Sequence, residues 1–327
     1  MLRLALGLSI ALGLMAGCDR KSPATGGTGR KVTLALNWVP EPEFGGIYAA
    51  RQSGAFARHG LDVQIQPGGA GAPVIQRVAA GQIQFGIASA DEVIMARARG
   101  ADVVALFTTY QTCPQGLMVH RQKGLTQIGQ IFTADLTVAM ETGLPYAAYL
   151  KKKYGFGSAK IVPYDGGVAR FLADKSFVQQ CFIFSEPIAA QRAGADPQVF
   201  LVADAGYNPY TAVVVTRGQI VRQDLPLVQS MANALREGWE QYLRDPGPAN
   251  QLMGQLNKTM DAYTFAAGAQ AQMPLIQPAP NVPVGTMDAG RWQQLVDQLV
   301  ELGLIDRAPG PAECFVNVLV GTPTGGR

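Results

Sequence analysis

Val32-Thr-Leu-Ala-Leu-Asn37-Trp38-Val-Pro40-Glu41-Pro42-Glu43-Phe44-Gly45-Gly46-Ile-Tyr48-Ala-Ala50 is the stretch from which the fold can be read. Apolar residues from Val32 to Asn37 predict a strand, and the Pro-Glu-Pro turn stops it. A helix then starts at Gly45 and runs to Arg51. The alternation continues downstream: Leu61–Gln66 is a predicted strand, Ala72–Ala80 a helix, and Phe85–Ser89 a strand. Asp91–Arg99 is a predicted helix ended by Gly100, and Val103–Thr109 a strand. Strands alternating with short helices predict a mainly parallel sheet covered on both faces.

Gln115-Gly116 reads as a turn, and beyond it the pattern restarts. Leu136–Met140, Lys160–Val162, Cys181–Phe184 and Val199–Val202 are predicted strands. The helices between them are predicted near Tyr146–Lys153, Val168–Ala173 and Ile188–Ala193. A strand at Ala212–Thr216 leads into a helix-rich end. There Val228, Met231, Leu235, Trp239 and Tyr242, and then Trp292, Leu295, Leu299 and Leu302, follow the spacing of buried helix faces. Trp239 and Trp292 are therefore read as core. The expected fold class is α/β with two lobes, each a mainly parallel sheet flanked by helices, plus a helical C-terminal region. Residues 31–114 plus 211–327 form the expected first lobe, and residues 115–210 the second. Ligands of open α/β sheets sit beyond the carboxyl ends of the strands, so one site is expected in the cleft between the lobes.

The chain opens on Met-Leu-Arg3, an apolar run and Leu14-Met-Ala-Gly-Cys18. This has the layout of a secretory signal, so residues 1–17 are expected to be cleaved. Cys18 after Ala-Gly resembles a bacterial lipobox, in which the thiol carries diacylglycerol. Asp19 resembles the signal that keeps a lipoprotein on the inner membrane. Residues 18–30 are then lipid anchor and flexible linker, holding the body at the periplasmic face of that membrane. Hydrophobic residues make up 48% of the 327 and charged ones 16%, which describes a packed globular chain. A net charge of +3, with no basic cluster interleaved with aromatics, argues against nucleic acid. Lys151–Lys153 reads as the solvated end of a helix. Cys113, Cys181 and Cys314 show no metal-like spacing and read as buried free thiols. His59 and His120 stand alone in polar stretches, so no metal site or histidine-based triad is assembled.

Candidate binding residues lie at the strand-to-helix turns. Trp38 offers a flat indole face for stacking a ring, or else packs at a hinge. Asn37 brings a donor and an acceptor. Glu41 and Glu43 can accept hydrogen bonds from an amino-substituted ring, with one of them expected to be merely solvated. Phe44 and Gly45 open the next helix, where Gly45-Gly46 either exposes amides at the positive end of the dipole or serves tight packing. Ser89 and Asp91 mark the next turn, Asp91 being a helix cap or a ligand contact. Tyr110 ends a strand near the crossover. In the second lobe the candidates are Glu141, Tyr146, Gly166, Gly167 and Glu186. Glu186 is the strongest of them, since its carboxylate can grip a donor-bearing solute. Tyr207 lies in the return crossover and either stacks or acts as hinge.

The opening stretch resembles solute-binding proteins of the thiamine-pyrimidine, sulfonate and nitrate group of ABC importers. Gly54-Ala-Phe56, Gly60-Leu61-Asp-Val, Val78-Ala-Ala-Gly81-Gln-Ile-Gln-Phe-Gly86, Ser185-Glu186-Pro187 and Tyr207-x-Pro-Tyr210 fit the same group. The resemblance spans about Lys31 to Leu304. It implies a type II-like periplasmic binding protein fold, monomeric and without a cofactor. Such a protein closes around a small-molecule solute and delivers it to an ABC permease and ATPase complex. Two other classes remain open. A periplasmic sensor would share the architecture. A pyrimidine-synthase-like enzyme would work inside cells with pyridoxal phosphate, histidine and a cysteine-rich motif, whereas this chain has an export leader, only His59 and His120, and one lone cysteine, Cys181, in its Cys-Phe-Ile-Phe segment. Carboxylates without fixed Arg or Lys at the predicted mouth favour a thiamine-precursor pyrimidine or related ring such as a flavin. An alkyl sulfonate, taurine or nitrate is the runner-up, with Arg170 the nearest cation.

Overall fold

The computed structural model describes residues 29–319. The leader, the lipidated cysteine and most of the linker expected above lie outside them. Ten strands form two five-stranded sheets. The first has the order β2-β1-β3-β10-β4, built from β1 (Arg30–Ala35), β2 (Leu61–Gln66), β3 (Phe85–Ala88), β4 (Val103–Thr108) and β10 (Val213–Arg217). The second has the order β7-β6-β8-β5-β9, from β5 (Gln115–His120), β6 (Thr137–Ala139), β7 (Lys160–Val162), β8 (Phe177–Phe182) and β9 (Pro197–Leu201).

Both sheets are mixed rather than mainly parallel. β1 runs parallel to β2 and β3, and β6 parallel to β7 and β8. β10 is antiparallel to β3 and β4, and β5 to β8 and β9. The path of the chain explains this. β4 and β9 both end at the edge where the chain crosses between sheets. A strand that enters a sheet straight after a crossover starts at that edge, so it must run against its neighbours.

Two sequence readings are corrected here. Gln115-Gly116 is the start of β5, not a turn. Gly116 is needed because a Cβ there would lie 2.7 Å from the Phe200 carbonyl oxygen of β9. β8 begins four residues before the expected Cys181, with Gln179 and Gln180 inside it and both buried. Buried amides break the apolar pattern that marks a strand, and they are tolerated because partners meet them. Gln179 Nε2 donates to the Gly167 carbonyl, and Gln180 Nε2 donates to Glu141.

The helical end behaves as its periodicity requires. The Leu225–Arg244 helix is capped by Asp224 and buries Val228, Met231, Leu235, Trp239 and Tyr242. It packs on the Gly45–Gln52 helix so closely that a Cβ on Gly45 would stand 2.2 Å from the Tyr242 ring. A Cβ on Gly46 would stand 2.2 Å from Trp239. The Ala289–Glu301 helix, capped by Asp288, buries Trp292, Leu295 and Leu299. Lys151, Lys152 and Lys153 occupy the last turn of the exposed end of the Pro145–Tyr154 helix. Cys113, Cys181 and Cys314 are buried free thiols. His120 departs from its reading as a polar-stretch residue. It is buried on β5, its ring stacked 3.9 Å from Phe171, with Nε2 2.7 Å from the Phe171 carbonyl oxygen.

The two crossovers, residues 109–114 and 202–212, are bound together at one point. The Arg291 guanidinium lies 3.8 Å from the Tyr210 ring centre. It donates to the Gln111 carbonyl on one crossover and to the Asn208 and Pro209 carbonyls on the other. Cys113 N–H also donates to Asn208 Oδ1 at 2.8 Å. Ala212 follows with φ of 51°, a left-handed conformation rare for a residue with a Cβ. These contacts tie the two crossovers together between the sheets.

Candidate functional site

The segment after β1 forms one wall of the cleft. Trp38 is 39% exposed, and its Nε1 donates to Glu41 Oε1 at 3.3 Å. Such exposure suits an indole presented to a cleft and does not suit a buried hinge packer. Asn37 Oδ1 is buried and accepts no hydrogen bond. Of the two neighbouring glutamates Glu41 is half-buried and Glu43 buried. Burial, followed by repulsion from Glu186, pushes the Glu41 carboxyl up to about 7. Glu43 is only 8% exposed, and burial, then Glu41 and Glu186, raise its carboxyl well above the usual range.

The opposite wall comes from the second sheet. Glu186, just past β8, accepts hydrogen bonds from the Tyr164 hydroxyl at 2.6 Å and from Phe182 N–H at 2.8 Å. Burial raises its carboxyl, and those hydrogen bonds act against the rise. Tyr110 lies at the floor, wholly buried, donating to Gln272 Oε1 and stacked on Phe184 at 5.9 Å. Gln272 Nε2 donates to the Pro42 carbonyl at 2.7 Å.

A glycine shows how closely the walls approach. A Cβ on Gly268 would stand 2.5 Å from the Phe184 carbonyl oxygen and 3.0 Å from Pro42 Cγ. The Glu41–Glu43 turn, the Ala262–Ile276 helix and the Phe182–Glu186 segment therefore meet at one place. Gln272 and Gly268 were not foreseen from sequence. Gln272 shares a mainly apolar helical run with Thr264 and Gln270, so its residue type alone did not single it out.

The remaining candidates divide by position. Phe44 and Gly45 are wholly buried, and Gly45 and Gly46 are accounted for by the packing of Tyr242 and Trp239 against them. Ser89, not Asp91, is the residue before the Ala90–Ala98 helix, and its N–H donates to Glu92 at 2.8 Å. Asp91 is buried and accepts from the Tyr207 hydroxyl at 2.8 Å, which ties it to the return crossover. Glu141 and Tyr146 meet through Gln180: Tyr146 donates to Gln180 Oε1, which also accepts from Glu141 N–H at 2.7 Å. Gly166 and Gly167 are exposed in the turn after β7, Gly166 with φ of 83°. Arg170 lies over the Phe177 ring, 4.5 Å from its centre. A separate cavity of about 260 Å³ opens beside Tyr149, Lys152 and Glu301. Its lysines are engaged, Lys152 by Glu301 and Lys153 by the Ala205 carbonyl, so it holds no free group to fix a solute.

Among the described residues no lysine or arginine acts on Glu41, Glu43 or Glu186. Ionising a carboxyl whose folded value is raised costs stability. Between its ordinary value of 4.5 and about 7, Glu41 keeps its proton when folded and loses it when unfolded. The empty protein is therefore expected to lose on the order of 2 kcal/mol as pH rises through that window. Urea titrations at pH 5 and pH 7.5 check this, and Glu41→Gln is expected to flatten the difference.

Two sheets joined by paired crossovers, with convergent side chains at the strand ends between them, define a two-lobed binding-protein architecture. The periplasmic aliphatic sulphonate binding protein SsuA from Escherichia coli shares this fold, with a TM-score of 0.68 at 13% identity over 91% of this chain and 96% of that one. Residues 41–249 match the NMT1/THI5 like family, and the chain belongs to it. A riboflavin-binding protein RibY of Chloroflexus aurantiacus is 24% identical over 76% of each protein. A formylaminopyrimidine-binding protein of Halalkalibacterium halodurans is 22% identical over 90% of this chain and 92% of that protein. A 4-amino-5-hydroxymethyl-2-methylpyrimidine phosphate synthase of Legionella pneumophila is 27% identical over only 31% of this chain.

Proposed function

We propose that the protein is the substrate-binding component of an ABC importer and takes a small heteroaromatic solute into the cleft between its sheets. The carrying observation is the half-exposed Trp38 face beside unpaired acceptors, Asn37 Oδ1 and the Glu43 carboxyl, with Glu186 opposite. A flat ring stacks on the indole while its ring-edge donors meet these acceptors. Residues 31–114 plus 211–327 act as one lobe and residues 115–210 as the other, moving about the Arg291 hinge. Relatives named for riboflavin and formylaminopyrimidine support a ring solute. A sulfonate calls for fixed cationic donors, and no lysine or arginine acts on this carboxyl set. The protein acts outside the cytoplasm, held at the membrane by lipid on Cys18, and binds without chemical change to the solute.

Calorimetric titration of the purified protein with a 4-aminopyrimidine, riboflavin and an alkyl sulfonate tests the reading. Binding of a ring solute with quenching of indole fluorescence is expected. Tight binding of the sulfonate with none of either ring would overturn it.

A further inference from the structure

Three carboxyl groups face one another here with no cation between them. Glu41 and Glu43 come from the turn after β1 and Glu186 from beyond β8, brought opposite by the Gly268 contact. Glu43 is 8% exposed as a residue, and its carboxyl makes no side-chain hydrogen bond among the described residues. Asn37 Oδ1 adds a buried acceptor with no donor. A buried acceptor left unpaired costs free energy, and several at one place mark where a donor-rich partner belongs.

We infer that this cleft selects a solute entering as a cation, one that presents an amidinium-type edge to Glu41, Glu43 and Glu186, and that its arrival releases a proton from the carboxyl set. An amidinium edge is a protonated nitrogen beside an amino group: two parallel N–H donors and one positive charge. It matches a carboxylate in both geometry and charge. The inference rests on the ring-solute reading above and narrows it from any flat ring to a positively charged one.

The proton balance follows from the groups present. The titratable groups facing the carboxyls are Tyr110 from the end of β4, and Tyr164 and Cys181 from the second sheet. Burial raises all three above their ordinary values, so they stay neutral near pH 7. Only the glutamates can change charge there. In the empty cleft they retain protons, since ionising them together places like charges side by side in a dry site. A bound cation reverses that, a carboxylic acid ionises, and its proton passes to the solvent.

Benzamidine, a ring whose amidinium stays charged across the range used, and benzamide, its neutral counterpart, are the probes. Calorimetry on the full-length protein at pH 8 is expected to give benzamidine a Kd at least about tenfold lower than benzamide. Its affinity should fall about tenfold per pH unit below the Glu41 value of about 7 and level off above it. At pH 6, below the Glu41 value, titration in buffers of different ionisation heat should show about one proton released per benzamidine bound and none per benzamide. In Glu43→Gln both the proton release and the preference should shrink.

Equal affinity for the two probes, a preference that grows as pH falls, or no released proton would overturn the inference. Binding of neither probe would overturn it as well. A protein that binds riboflavin or a 4-aminopyrimidine without this preference refutes the inference and leaves the ring-solute reading in place. One that binds only a sulfonate refutes both.

Discussion

Gly238→Ala is expected to destabilise the protein by about 3 kcal/mol, read as a lower urea midpoint at unchanged slope. The new Cβ would stand 2.2 Å from the Gly46 carbonyl oxygen, 2.6 Å from Ala50 Cβ and 2.8 Å from Ala50 N. Two of those three atoms are backbone, so no side-chain rotation relieves the clash. The Gly45–Gln52 helix would have to move away. Its residues Ile47, Tyr48, Ala49 and Ala50 are buried in the same core as Leu34 and Phe85 of the first sheet, which leaves little room for that shift. Alanine in place of a helical glycine gains about 1 kcal/mol of helix propensity, which offsets only part of the overpacking. Gly69→Ala is the matched control. A Cβ there meets nothing within 4 Å and Gly69 lies outside the left-handed region, so its stability should change by less than about 0.5 kcal/mol.

That helix contact also shows what a reading of the sequence can reach. Where an element announces itself by local pattern, as at Leu61–Gln66 and Lys160–Val162, both the element and its ends were legible. β5 was not, because Pro114 and Gly116 carry turn signals around its first residue. Only the close approach of β9 explains why a strand should begin there. β8 was displaced by Gln179 and Gln180, whose burial is permitted by partners at Gly167 and Glu141 that no local window contains. The candidate site divides along the same line. Asn37, Trp38, Glu43 and Glu186 sit at strand ends, where topology alone predicts a cleft. Gln272 reaches Pro42 across 230 residues of sequence, so its place under the site is a tertiary fact. The repulsion among the three glutamates is likewise invisible until the walls are brought together.

Trp38→Ala is expected to raise the Kd for a ring solute by about 30- to 100-fold, equivalent to roughly 2–3 kcal/mol of stacking and apolar contact. Its stability should stay within about 0.5 kcal/mol of the parent, because the indole is 39% exposed in the empty protein. Trp239→Ala, at a fully buried indole, should cost about 3–5 kcal/mol instead. Trp38→Phe should recover most of the affinity, as a ring face without the N–H. That missing N–H is separately informative. The indole donates to Glu41, and this hydrogen bond holds the Glu41 carboxyl below where burial and Glu186 would otherwise push it. In Trp38→Phe the carboxyl therefore rises further, and the pH at which a cationic ring reaches full affinity should move upward. An indole serving only as a stacking platform would leave that pH unchanged. The size of the affinity loss and the position of the pH curve thus measure two distinct roles of one side chain.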